Sequence, residues 1–197
     1  MPSDKSELAQ RIAICKPEDT VRGFIFKSVY GLVEQRAGNA GLARLRQQLQ
    51  GHKLPVDFFS YPAADFLRLL YAATDVLEPH YPSLQDTFRA CGASTVTGFF
   101  NSYVGNTLMK LIGMGDPKRA LSTVGTVYST LVSYGERDFQ DLGGNQGLIT
   151  FRKDMQPVPF HEGSLTEVLR VLCGNDKGKV TGTAVSLDHA KYVLEWS

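Results

Sequence analysis

The sequence predicts an α+β protein, with an N-terminal helical bundle packed on a four-stranded antiparallel sheet of order β-β-α-β-β in sequence. Three observations carry this prediction. From Val21 to about Leu131, apolar residues recur at helical spacing, block after block, with no convincing strand between them. Two short segments, GERDFQDL and QGLITFRK, then flank the turn residues Gly143, Gly144 and Asn145. At the C-terminus Tyr192, Leu194 and Trp196 alternate with Lys191, Val193 and Glu195, the period of a sheet with one covered face.

In chain order, residues 1–16 form an N-terminal arm and 17–197 a single domain. Leu8 to Cys15 alternate weakly, which leaves a short strand or an irregular arm open. From Glu18 onward Val21, Ile25, Val29, Leu32 and Val33 keep helical spacing as far as Gly38. Leu42, Leu45 and Leu49 line one face of a second short helix ended by Gly51. Pro62 suits a first helical turn, Phe66, Leu69, Leu70, Ala73 and Leu77 make that helix's buried face, and Pro79 stops it. Asp116 followed by Pro117 opens another helix, carrying Leu121, Val124, Tyr128 and Leu131 and ending near Gly135. Later, Ser164 and Glu167 form a capping box that starts a helix after an entry loop of His161, Glu162 and Gly163, and Gly174 caps its end. KVTGTAVS and AKYVLEW are the last strands, joined by Leu187, Asp188 and His189.

Between these blocks lies the stretch from Ser83 to Gly113. Its only formal charge after Arg89 is Lys110, and no proline interrupts it, so it is expected as a long buried helix or two joined near Gly92. Ser83 and Asp86 open it as an acidic variant of the capping box. On a helical wheel Cys91, Thr95, Gly98, Ser102, Gly105 and Met109 fall on one narrow stripe of mostly small side chains. Something must approach that backbone closely, either another helix or a ligand. These six are the candidate ligand-binding residues.

Composition narrows the function classes. Hydrophobic content of 43% with charged content of 21% suits a globule with a real core. Lys+Arg 21 against Asp+Glu 20 gives no positive face for phosphates, so no nucleic-acid partner is expected. No apolar run has the length of a membrane span, and the first residues lack a signal-peptide core. Cys15, Cys91 and Cys173 are too few and too dispersed for a disulfide framework or a metal site, which points to a reduced, cytoplasmic setting. His52, His80, His161 and His189 are equally scattered.

Enzyme chemistry finds little support. There is no G-x-S-x-G elbow, no H-E-x-x-H and no dinucleotide fingerprint. GMGDPK, Gly113 to Lys118, joins two helices and so differs from a phosphate loop leaving a strand; GNDKGKVTGT lacks the required spacing. His161 beside Glu162 could make an acid-base pair, although neighbours in sequence rarely aim at one atom. Asn101 and Asn106 are amides in an apolar setting and need partners, from packing or from a ligand's head group. No catalytic residue, metal ligand or cofactor is therefore assigned, and the chain is expected not to be an enzyme.

Several blocks resemble a paralogous family of myxobacterial proteins known as a domain of unknown function. They are TVRGFIF, YPAADFLRLLYAATDVLEPHYP, FRACGASTVTGFFNSYVGNTLMKLIG, the PKRAL start, FHEGSL…VLCG and the terminal YVLEW. That family is similar in turn to a superfamily of α+β ligand-binding domains: haem nitric-oxide-binding domains, vinyl-four-reductase-type domains of aromatic-sensing activators, and TRAPP subunits. The resemblance implies a non-catalytic regulatory or adaptor module, often dimeric, with an internal apolar cavity. Haem-binding members use a histidine on the helix before the sheet and a Tyr-x-Ser-x-Arg motif. Pro117 to Tyr134 contains no histidine, and Ser133-Tyr134-Gly135-Glu136-Arg137 has the wrong order, so this mode of haem binding is disfavoured. One TRAPP member type carries an acyl chain on a buried cysteine; Cys91 could face a cavity in that way or be a small buried hydrophobe.

The resulting expectation is a cytoplasmic, non-enzymatic signalling or adaptor domain acting through a protein partner or a homodimer, with a small apolar ligand held internally. The alternative is a scaffold with a solid core, in which the stripe packs helix against helix.

Overall fold

Residues 5–50, 54–101 and 116–197 are described by the computed structural model. The chain opens with α1 (Lys5–Ile14), so Leu8 to Cys15 is neither strand nor irregular arm. Arg11 explains why. Its guanidinium reaches past the helix to the carbonyls of Met155 and Leu187, both at 2.9 Å, while Glu7 one turn earlier pairs with it at 2.7 Å. The arginine is buried, and Leu8 and Ile12 lie against the helical core.

A short strand β1 (Thr20–Arg22) leads into α2 (Gly23–Gln48). Gly38 stands inside α2 at φ 65° and ψ −169°, a backbone state that suits glycine, so the helical path breaks there and resumes. After strand β2 (Ser60–Pro62), which pairs antiparallel with β1, α3 (Ala63–Leu77) presents Phe66, Leu69, Leu70 and Ala73 to the core. This two-stranded ribbon was not expected from the sequence, because its three-residue strands are too short to show a period. Pro62 consequently stands just before the helix, as its extended N-cap.

Helix α4 spans Leu84–Phe100. Ser83 caps it, accepting from the Asp86 amide at 3.1 Å while its own hydroxyl donates to the Asp86 carboxylate at 2.6 Å. The second half of the expected long helix, including Ser102, Gly105 and Met109, lies outside the described residues. The helix expected from Pro117 is divided at Thr123 into α5 (Pro117–Ser122) and α6 (Val124–Leu131). Thr123 has left helical geometry, with φ −94° and ψ 3°, and its hydroxyl donates to the Ala120 carbonyl.

The sheet comprises β3 (Glu136–Gly143), β4 (Gln146–Arg152), β5 (Lys179–Ser186) and β6 (His189–Glu195), in the spatial order β3-β4-β6-β5 and antiparallel throughout. Ile149 faces Tyr192 and Phe151 faces Ala190 across the central pair, and all four side chains are buried. Between β4 and β5 the chain crosses over through α7 (Val158–Cys173). This helix starts six residues before the capping box that the sequence suggests. Pro157 is its N-cap and Pro159 lies in its first turn, where a missing amide costs no helical hydrogen bond. Ser164 is therefore mid-helix, its hydroxyl donating to the Phe160 carbonyl.

Helices α4 and α7 cross at very close range. A Cβ added to Gly92 would stand 1.8 Å from the Phe160 carbonyl oxygen, and one added to Gly163 would stand 1.9 Å from that of Arg89. Around this crossing the apolar interior forms two clusters. One is built from α2, α3 and α4 with Met155 and Phe160; the other joins the inner face of β4 and β6 to Leu121, Val124, Leu165 and Leu169.

Gly92→Ala and Gly163→Ala are each expected to lower stability by about 1–3 kcal/mol, because backbone would have to shift to admit the methyl group. Gly31→Ala on the exposed side of α2, where an added Cβ meets nothing within 4 Å, should instead raise it by about 0.5–1 kcal/mol. Urea denaturation of the three variants measures both; equal behaviour would contradict the tight crossing.

Candidate functional site

Where the two clusters meet, a cavity of about 120 Å³ remains. Its wall takes Phe24 and Ile25 from α2, Phe66 from α3, Thr95, Val96 and Phe99 from α4, Leu121 from α5, Val124 from α6, and Leu165 from α7. The polar end of the wall consists of Arg137, Gln156 and His161.

These three belong to one buried network centred on Asp154, which is 4% exposed. Asp154 pairs with the Arg137 guanidinium through one carboxylate oxygen. Its other oxygen lies 2.8 Å from His161 Nε2 and accepts from the Gln156 amide at 3.1 Å. Arg137 also donates to the Tyr134 carbonyl, and Gln156 Nε2 to the Tyr134 hydroxyl. The guanidinium carbon lies 4.9 Å from the centre of the Tyr128 ring and 5.3 Å from that of Phe151, distances at which ring faces attract a cation. Phe151 in turn stands edge-on to His161, ring centres 4.6 Å apart.

Burial alone would raise the Asp154 carboxyl, but His161 and Arg137 beside it more than offset that and hold it well below the usual carboxylate range. Burial pushes the Tyr128 and Tyr134 hydroxyls up, so both remain protonated. An ionised Asp154 accepts only, hence His161 Nε2 carries the proton between them. Among the described residues, three atoms of this network have no hydrogen-bond partner: Arg137 Nε, Gln156 Oε1 and His161 Nδ1. Buried polar atoms are seldom left so.

The sequence-predicted residues are distributed differently. Thr95 is on the cavity wall, its hydroxyl donating to the Gly92 carbonyl at 2.7 Å. Cys91 is fully buried in the helical cluster, its thiol pushed up to about 12 by burial, which makes it an inert hydrophobe. Gly98 faces Ser28 of α2, whose hydroxyl would be 2.2 Å from an added Cβ. Of the three stripe residues described, then, Gly98 is approached by a neighbouring helix, Cys91 is packed in the core and Thr95 borders the cavity. Asn101 is an exposed residue at the C-terminal end of α4 rather than a buried amide, and Asn106 lies outside the described residues. His161 and Glu162 part company: Glu162 pairs with Arg89 at 2.7 Å and accepts from the Gly182 amide at 2.8 Å. The Asp154 network was missed because its members are far apart in sequence. Pro157 and Pro159 were the available signal, since a helix begun there buries His161 in its second turn.

Residues 15–197 match the family described as a protein of unknown function, DUF2378, and the chain belongs to it. No curated protein matches. Among solved structures, the fold is similar to that of H-NOX proteins. A variant from S. oneidensis in the Fe(II) ligation state has a TM-score of 0.67 at 15% identity, covering 89% of this chain and 96% of that one. The S. oneidensis protein in the Fe(II)NO ligation state has 0.65 at 16% identity, covering 89% and 99%. The Fe(II) unliganded protein from K. algicida has 0.63 at 14%, covering 89% and 96%. At such identity the likeness concerns the fold. The described residues do not fit a haem. The cavity is smaller than the roughly 300–1,000 Å³ of ordinary cofactor pockets, Arg137 is committed to Asp154, and His161 Nε2 is committed to the same carboxylate. Among the described residues no cluster of three metal-ligating side chains occurs.

Asp154→Ala is expected to cost about 3–5 kcal/mol at pH 7, because Arg137 would be left buried without its counter-ion. The double change Arg137→Met with Asp154→Leu should cost clearly less than the sum of the single changes, as a double-mutant cycle in urea would show. A carboxylate with a depressed folded pKa contributes stability above its unfolded value of about 3.9, and this is lost as pH falls toward the folded value. The wild type should therefore lose stability below about pH 4 more steeply than Asp154→Ala.

Proposed function

We propose that this protein is a non-enzymatic, cytoplasmic signalling or adaptor domain that holds a small apolar ligand in the cavity between its two core clusters. The cavity carries the reading: it is lined by apolar side chains from α2 to α7 with a few polar residues among them, the usual constitution of a small-molecule site. Its volume is close to the roughly 150 Å³ at which an apolar cavity in another protein stays dry and takes up benzene. The family resemblance and the H-NOX-like fold support a ligand-binding module, and the commitment of His161 and Glu162 to different partners supports a non-enzymatic one. Association with a protein partner or a second copy is favoured by the segment before β2, where Phe58 and Phe59 are 67% and 64% exposed beside Leu54 and Val56.

The scaffold reading draws on a separate observation. Gly92 seats the Phe160 carbonyl and Gly98 the Ser28 hydroxyl, so the small-residue side of α4 serves helix packing. Thr95 of the same stripe, with Val96 and Phe99 beside it, borders the cavity.

Titration with benzene, followed through the methyl resonances of Leu121, Val124 and Leu165, distinguishes the two. Saturable shifts confined to those methyl groups are expected from a binding cavity. Unchanged spectra up to the solubility limit would leave the solid-core scaffold.

A further inference from the structure

We propose that α1 is a releasable strap whose docking, transmitted through Arg11, fixes the backbone that holds Asp154 in its buried cluster. The proposal concerns the conformation of the chain and stands whether or not a ligand occupies the cavity. It begins with how little else holds α1. The helix has ten residues, below the roughly 12–15 at which a helix persists without packing. Arg11 is its one buried residue; Leu8 and Ile12 are half-buried, and Ile14 at its end is exposed. Lys5 and Leu8 border a groove of about 620 Å³ together with Tyr30 of α2 and Leu69 and Ala72 of α3, so α1 is undercut on that side. The family match begins at residue 15, just past the helix, so α1 lies outside the part of the chain shared with the family.

What does hold α1 is a polar lock. Arg11 Nη1 donates to the Met155 and Leu187 carbonyls, both at 2.9 Å, while Nε donates to Glu7 at 2.8 Å and steadies the other edge of the fork. The two carbonyls belong to different connections. Met155 lies between β4 and α7, and Leu187 lies in the turn between β5 and β6. These connections also touch directly, because the Asp154 amide donates to the Asp188 carbonyl at 3.0 Å. Arg11 therefore staples them together beside the Asp154 backbone.

The stapled backbone is under strain. Lys153 has φ 54°, in the left-handed region that a β-carbon disfavours, and Asp154 follows it directly. Such a conformation persists only where its surroundings hold it. With α1 docked, Arg11 fixes the Met155 carbonyl and Asp188 fixes the Asp154 amide. The Asp154 carboxylate is then placed to meet Arg137, His161 and the Gln156 amide. When α1 leaves, the guanidinium and both carbonyls it held gain water, so opening leaves no group bare. One of the two braces is then gone, and Lys153 is free to relax toward negative φ. Arg137 and His161 are among the residues lining the cavity, so the position of α1 is coupled to the cavity wall. The coupling is reciprocal: whatever tightens the Asp154 cluster also tightens α1.

Hydrogen exchange on the full chain, resolved by NMR, tests this. In the wild type the α1 amides are expected to exchange at least about a hundredfold faster than those of Leu70 and Ala73 in α3. The Asp154 and Gln156 amides are expected to open with α1, showing the same dependence on low concentrations of urea. Arg11→Met keeps the apolar stem and removes the lock. It should speed exchange at Asp154 and Gln156 by about tenfold or more and shift the His161 ring resonances, while the amides of β6 keep their wild-type rates. Protection in α1 equal to that in α3 would overturn the strap. Opening of α1 with Asp154 and Gln156 unmoved, in the wild type or in Arg11→Met, would overturn the coupling. Equal acceleration of α3, β6 and Asp154 in Arg11→Met would assign Arg11 to overall stability alone and overturn the proposal as well. The wild-type measurement decides the question even if Arg11→Met does not fold.

Discussion

Everything else in this fold is arranged about the contact between α4 and α7. Gly92 and Gly163 allow the two backbones to meet without intervening side chains, each helix seating a carbonyl of the other. The contact is flanked by polar links that fix its angle. Arg89 pairs with Glu162, and the Thr97 hydroxyl donates to Glu167 at 2.9 Å. Glu162 also receives the Gly182 amide, so β5 is tied to the same crossing. With α7 held in this way, successive residues on it serve different layers. Phe160 packs against Phe66 in the helical cluster, His161 reaches Asp154, and Leu165 and Leu169 join the sheet.

That geometry explains why the interior is divided. Beside the glycine seam between α4 and α7, the space next to Thr95 and Phe99 is lined by Leu165 of α7, Leu121 of α5 and Val124 of α6. The break at Thr123 and the anchoring of the following segment contribute. Ser133 donates to the Glu18 carbonyl and Val132 bridges to Val21, so the end of α6 is held against β1. The Asp154 network then closes the seam at one end. Burying these charges is costly, and the cost is offset by mutual pairing, by the aromatic faces around Arg137 and by the Gln156 amide. The network is also braced from outside, since Arg11 of α1 grips the carbonyl of Met155, between Asp154 and Gln156.

Local chemistry accounts for the elements that could be located in advance. Gly38 interrupts a helix, Ser83 and Asp116 cap helices, and Gly143 with Gly144 turns a hairpin, because each acts on its own backbone within a few residues. The alternation of Tyr192, Leu194 and Trp196 is a statement about one covered face and survives in the sheet. Where two local signals compete, the reading fails. Ser164 and Glu167 have the form of a capping box, but Pro157 and Pro159 start the helix earlier, and the contact of Gly163 with Arg89 requires that it be helical. Similarly, Leu8 to Cys15 has a weak period of its own and becomes helical with Arg11 anchored to distant carbonyls.

From its sequence alone this chain determines an α+β fold, the order of its helices and the covered face of its sheet, because those follow from spacing and capping along the backbone. A stripe of small residues on α4 is equally plain there. What approaches the stripe, and where a space remains, depends on which helices come together, and only the tertiary structure decides that. Arg137, Asp154, Gln156 and His161 carry no shared spacing that marks them as a group. They become a site because β3, the β4–α7 connection and α7 converge on one carboxylate, under Coulomb attraction that acts through space and is indifferent to sequence separation.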